Sequence, residues 1–191
     1  MNYLAHALLS PEDPTMMMGN LWGDLLRPKD YLDLDPGIMT GVMKHKIIDT
    51  FTDQHPNVEE MVLLFRPGQG KYAPVVADVL MDFILSKFWH AFHTETIEQF
   101  SSKVYQMVKT HIHLMPERLH FRIERMLENQ WLESCKNRQR MEMTLLMLSR
   151  RASFANNIPN AMQPYDANEQ TMDRLFLTFF QDLRMHLEKI G

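Results

Sequence analysis

The sequence predicts an all-α fold, and three observations carry that prediction. Six of the seven glycines (Gly19, Gly23, Gly37, Gly41, Gly68 and Gly70) fall in the first 70 residues, which leaves positions 71–190 without any. Primed hairpin turns depend on glycine or asparagine at positive φ, so a sheet of short hairpins has no place in that stretch. After Pro74 only Pro116, Pro159 and Pro164 interrupt it. Apolar residues also recur at helical spacing, as Met143 and Met147 do among Leu146 and Leu148, where core filling is the expectation for this methionine-rich chain. At 191 residues, 45% hydrophobic and 23% charged, the chain suits one compact multi-helix domain over 1–191 and is too apolar for disorder.

The elements follow from their boundary residues. Asn2–Leu9 reads as a short helix, and Thr15 is placed to cap a second from Met16 to Arg27, stopped by Pro28. Asp35 followed by Pro36 opens a third, which should last to His55 because Pro56 disfavours α geometry before it. A short helix to Phe65 precedes Arg66-Pro67-Gly68-Gln69-Gly70, the clearest loop signal in the chain. An apolar helix is expected from Tyr72 to Phe92, then one from Thr94 in which Thr96 and Gln99 form a capping box. Further helices are expected from Pro116 to Cys135 and from Met141 to Ala155. After a loop over Asn156–Pro164, Asp166 or Asn168 caps a last helix ending at Ile190.

Composition narrows the function classes. A net charge of −4 does not mark a nucleic-acid binder. Between Glu117 and Arg151, however, eight Lys/Arg stand against five Glu, a basic surface suited to an acidic partner. One cysteine, Cys135, fits a reducing cytoplasm, and Met1 to Leu9 lacks the basic start and apolar run of a signal peptide. No 18-residue apolar run suggests a membrane span.

Polar groups on apolar faces point to chemistry. In the helix from Pro36, His45 and Asp49 lie about 40° apart around the axis and share a stripe with Ile38, Val42 and Thr52, flanked by Lys44 and Lys46. A histidine and a carboxylate withdrawn from water need a partner, which is either a neighbouring helix or a metal ion. In the apolar helix after Tyr72, Asp78, Asp82 and Ser86 form a narrow polar stripe, and two carboxylates one turn apart repel unless a cation offsets them. His6 and Asp24 are weaker signals taken alone.

Together these residues resemble a known family. Met1-Asn2-Tyr3-Leu4-Ala5-His6, Gly19-Asn20-Leu21 with Asp24, Gly41 with His45-Lys46-Ile47-Ile48-Asp49, Thr52-Asp53-Gln54-His55-Pro56 and Asp78-Val79-Leu80-Met81-Asp82 match the acyl carrier protein phosphodiesterase family in order and spacing. Gln130-Trp131-Leu132 and Ser149-Arg150-Arg151 extend the likeness across nearly the whole chain. The resemblance implies a divergent HD-domain-like fold and a metal-dependent hydrolase, typically using manganese, with magnesium as an alternative. Its reaction would remove 4′-phosphopantetheine from holo acyl carrier protein, an acidic partner. On that reading Asp24, His45, Asp49 and Asp82, with His6, hold one or two divalent ions. Lys46 and Lys44 offset charge on the phosphate, Asn20 joins the substrate contacts, and Arg138, Arg140, Arg150 and Arg151 dock the carrier. Phe83 and Lys46 stand where the family usually has histidine and arginine, and Pro28 where it tends to glycine. Phe83 leaves open a phosphohydrolase for another phosphoester such as a nucleotide, or a module that binds the carrier without cutting it.

Overall fold

The computed structural model describes residues 2–190, and among them there are ten α-helices joined by short 3₁₀ turns, with no strand. These are α1 (Tyr3–Leu8), α2 (Pro14–Trp22), α3 (Pro36–Gln54), α4 (Pro56–Gln69), α5 (Ala73–Lys87), α6 (Ile97–His111), α7 (Glu117–Glu128), α8 (Arg138–Arg151), α9 (Met162–Ala167) and α10 (Glu169–Ile190). The all-α expectation therefore holds. Contacts divide the described residues into two compact units, each discontinuous in sequence: one comprises Tyr3–Asp49 and Trp89–Glu133, the other Asn2, Thr50–Phe88 and residues 134–190.

The first unit holds α1, α2, the greater part of α3, α6 and α7. Its core includes Leu4, Met18, Trp22, Ile38, Val108 and Ile123, all buried. Asp13, not Thr15, caps α2: its carboxylate accepts from Met16 N at 3.0 Å, while Thr15 Oγ1 donates to the same oxygen at 2.6 Å. Pro14 then takes the first helical position, where its missing N–H costs nothing. The helix stops at Trp22, and Gly23–Leu25 forms a 3₁₀ turn that carries Asp24. Two glycines set the approach of α2 to α3. A Cβ at Gly19 would lie 2.0 Å from the Ile38 carbonyl oxygen, and one at Gly41 would lie 2.0 Å from that of Met16. Both obstacles are helical backbone, which cannot swing away. Later in the unit, α6 has the expected capping box between Thr96 and Gln99. By contrast α7 ends at Glu128 rather than Cys135, because Gln130 takes a φ of 50° and the chain tightens into a 3₁₀ turn.

The second unit packs α4 against α5, α9 and α10, and α5 against α8. Phe65, Val76, Leu80, Phe176, Phe180 and Leu183 form much of its core. The strongest loop signal in the sequence proves helical, since α4 runs through Pro67 to Gln69 and stops at Gly70, whose φ is 53°. Proline removes one donor there, and the carbonyl left open belongs to Leu63, whose residue is 53% exposed and open to water. Side chains also hold the last turn: Gln69 Nε2 donates to the Asn157 carbonyl at 3.1 Å, and Asn157 Nδ2 to the Gly68 carbonyl at 3.2 Å. The expected loop over 156–164 is partly ordered as well, with a 3₁₀ turn at Ile158–Asn160 and α9 starting at Met162.

The expectation that Met143 and Met147 fill the core fails. They are 61% and 49% exposed, and Leu146 between them is 41% exposed, because α8 turns Met141 and Leu145 inward instead. The clearest stability test is at the helix contact. Replacing Gly19 or Gly41 by alanine overpacks it and should cost about 1–3 kcal/mol, read as a lower denaturant midpoint. Gly68→Ala, whose new Cβ would meet only Asn157 Nδ2 at 3.9 Å, should cost less than either.

Candidate metal centre

Four chain segments of the first unit supply the site. α1 carries His6, 2% exposed; α2 carries Asn20, fully buried; the following 3₁₀ turn carries Asp24; and α3 carries His45, 5% exposed, with Asp49 one turn later. The two imidazoles stack, with centroids 4.2 Å apart and planes inclined by 23°. Gly23 lets the turn come close to this pair, since a Cβ there would stand 3.0 Å from the His45 ring.

The ring nitrogens have separate duties. His45 Nδ1 lies 2.7 Å from the Asn20 carbonyl oxygen. That oxygen can only accept, so Nδ1 carries the proton and Nε2 is the nitrogen turned to the carboxylates. Asp24 Oδ1 is 3.0 Å from His45 Nε2 and Asp49 Oδ2 is 3.1 Å away, while Asp49 Oδ1 is 3.2 Å from His6 Nε2. Neither carboxylate meets His45 Nε2 along an N–H direction, so this buried atom makes no hydrogen bond despite its close neighbours.

A neutral His45 would hold its electron-rich Nε2 3.0 and 3.1 Å from two carboxylate oxygens, which is repulsive, so the arrangement calls for a positive charge. Without a metal, that charge is a proton. Burial opposes it, but the carboxylates of Asp24 and Asp49 prevail and raise the His45 pKa to about 9. Burial likewise pushes Asp49 up, yet the neighbouring His45 and His6 imidazoles outweigh it and hold Asp49 far below the usual carboxylate range. Asp24 is lowered chiefly by the His45 interaction, and its side chain is 80% exposed.

The same donor set suits a divalent ion. Ligand atoms of His6, His45 and Asp49 all lie within 4.8 Å of one another, and the orphaned His45 Nε2 is one of them. Carboxylate suits Mn²⁺ and Mg²⁺ and imidazole suits Zn²⁺, and the group holds no thiolate. Asp24 lies outside that group of three, although its Oδ1 is 3.0 Å from His45 Nε2.

The other residues singled out in the sequence fall in different places. Lys46 is exposed, with Nζ 5.3 Å from the centroid of the Tyr31 ring; Lys44 is half-buried, and burial lowers its pKa. Asn20 gives both amide hydrogens away, to the His6 carbonyl and Ser10 Oγ, each at 2.9 Å, and so has none to offer a substrate. Asp82 is 4% exposed and lies on α5 in the second unit. Phe83, beside it, packs edge-on against Tyr165 with centroids 5.6 Å apart. Arg150 and Arg151 are exposed at the end of α8, whereas Arg138 is engaged with Asp166 at 2.6 and 2.7 Å and with Glu142 at 2.9 Å. Sequence reasoning missed Ser10 and Tyr31, which carry no motif, and underrated His6, whose value lies in contacts formed only on folding.

The family profile described as "Acyl carrier protein phosphodiesterase" matches residues 1–183. Curated proteins bearing that name are similar to the chain. One from Yersinia pestis is 25% identical over 181 residues, 94% of each chain. Another from Escherichia coli O6:H1 is also 25% identical over 94% of each, and one from Serratia proteamaculans is 28% identical over 70% of this chain and 69% of its own. No solved structure matches.

The proton on His45 makes a testable signature. A histidine whose pKa is raised on folding contributes stability that is full below its ordinary value of 6.5 and lost as pH rises through about 9. With a chelator present, the Tm should therefore fall between those two pH values, and His45→Gln should flatten this limb. Thermal unfolding monitored by circular dichroism measures both.

Proposed function

Because the chain belongs to the acyl carrier protein phosphodiesterase family, we propose that it is a divalent-metal-dependent hydrolase that releases 4′-phosphopantetheine from holo acyl carrier protein. The observation that supports the metal dependence is the convergence of ligand atoms of His6, His45 and Asp49 within 4.8 Å of one another, with the buried His45 Nε2 left without a hydrogen bond. His6, His45 and Asp49 would hold the ion, with Asp24 joining them, and Mn²⁺ is the expected metal. Such an ion, when bound, lowers the pKa of water and polarises a phosphoryl oxygen.

The side chains divide the remaining work. Asp24, the most exposed of the site carboxylates, would orient the attacking water and take its proton. A new bond forms between that water oxygen and phosphorus as the bond to the carrier's serine oxygen breaks, and the serine oxygen takes up a proton as it leaves. Lys46 keeps the positive charge of the family's usual arginine and offsets charge gathering on the phosphate, although it lacks the planar fork for bidentate contact. The ring–ring contact with Tyr165 gives Phe83 a packing role, so the absence of histidine there leaves the His6–His45–Asp49 cluster intact.

The partner's acidic surface finds its complement on α8. Met143, Leu146, Met147 and Arg150 fall within about a 100° arc of that helix, with Arg151 beside them. All five are exposed. Opposite charges raise the rate of encounter, and exposed apolar side chains add contact once docked.

Incubating the protein with Mn²⁺ and holo acyl carrier protein should lower the carrier's mass by the phosphopantetheine group. Asp49→Asn should reduce the rate on the order of a hundredfold or more. Holo carrier that keeps its mass with Mn²⁺, Mg²⁺ and Zn²⁺ alike would sink the proposal, and cleavage of a small phosphodiester alone would point to a different substrate. Arg150→Glu with Arg151→Glu should raise KM and weaken its salt dependence while sparing kcat; an unchanged KM would remove α8 from the docking surface.

A further inference from the structure

The hydrogen bonds around Asn20 reach beyond support of the fold. Its side chain and its backbone each address a different imidazole, and the partners on every side have fixed roles. Nδ2 lies 2.9 Å from the His6 carbonyl oxygen, which can only accept, so the amide cannot be turned the other way. Its second hydrogen goes to Ser10 Oγ at 2.9 Å, and that hydroxyl is free to accept because its own proton goes to the His6 carbonyl at 2.8 Å. Oδ1 is thereby directed at His6 Nδ1, 3.0 Å away. An amide oxygen accepts only, so His6 Nδ1 must carry its proton. The Asn20 carbonyl imposes the same state on His45 Nδ1 at 2.7 Å.

We infer that Asn20 is a positioning residue that sets the tautomer of both histidines, His6 through its side chain and His45 through its backbone, so that both Nε2 atoms face Asp49. Nδ1 stays protonated whether each ring is neutral or charged, because the second proton resides on Nε2. Asn20 is wholly buried, with its amide committed to His6 and Ser10 and its carbonyl to His45, so it acts through the rings and not on a substrate. The division of labour has a sharp consequence. No substitution at position 20 removes the backbone carbonyl, so a side-chain change should release His6 and leave His45 held. The tautomer assignment stands on hydrogen-bond geometry alone; only its effect on metal affinity rests on the metal-dependent reading above.

Imidazole ¹H–¹⁵N correlation spectra of metal-free, ¹⁵N-labelled protein test this directly. The native protein should show slowly exchanging Nδ1–H groups on both His6 and His45. In Asn20→Ser the His6 signal should exchange with water or shift to the other tautomer, while His45 keeps its Nδ1–H. Ser10→Ala, which spares the bond from Nδ2 to the His6 carbonyl, should preserve both signals. On the metal-dependent reading, Mn²⁺ affinity of Asn20→Ser falls by roughly 10- to 100-fold, as loss of an outer-sphere partner commonly does. A bare Nδ1 on either ring of the native protein would overturn the inference, whether or not the variants fold. So would an Asn20→Ser spectrum in which both signals survive, or in which both vanish while the backbone spectrum stays native.

Discussion

The 2.7 Å hydrogen bond from His45 Nδ1 to the Asn20 carbonyl is the contact on which the site depends. It ties α3 to α2, and it decides which ring nitrogen is left for the carboxylates. With Nδ1 committed, Nε2 must face Asp24 and Asp49, and it does so buried and without an aligned acceptor. A group in that state calls for positive charge, which a proton supplies and which, on the proposed metal-dependent reading, a divalent ion would supply in its place. The stacked His6 ring adds a second nitrogen to the same carboxylate. The chemistry of the cluster follows from this one direction choice.

That hydrogen bond is possible only because two helices approach unusually closely. Gly19 and Gly41 put backbone against backbone, each facing a carbonyl oxygen of the other helix. Asn20 follows Gly19 directly, and His45 stands one turn beyond Gly41 on α3, so the contact that brings the helices together also brings carbonyl and imidazole together. The family motifs Gly19-Asn20 and Gly41 with His45 thus read as a packing device joined to a chemical one. Side chains at those glycines would push apart the atoms that the motif residues must hold at hydrogen-bond distance.

Much of this was legible in the sequence, and what was not has physical causes. The shared stripe of His45 and Asp49 is a local property of one helix, so turning 100° per residue was enough to find it. The capping box at Thr96 and the start of α3 were equally local. Pro67 misled, because the side-chain bonds from Gln69 and Asn157 that hold the end of α4 join residues far apart in the chain. Met143 and Met147 misled because i, i+4 spacing shows that residues share a face and does not say whether that face turns inward. His6 and Asn20 lie 14 residues apart and meet only when α1 packs on α2. A resemblance between families could mark Asn20 as important; only the direction of its amide says why.

On the proposed function, His6, His45 and Asp49 would form a divalent-metal site. Anomalous X-ray scattering from crystals of the protein grown with Mn²⁺ tests it most directly. A manganese peak bounded by His6 Nε2, His45 Nε2 and the Asp49 carboxylate is expected, and it should be absent from crystals of Asp49→Ala. A fully occupied manganese peak elsewhere, or His45 Nε2 still paired with the carboxylates at saturating Mn²⁺, would contradict it.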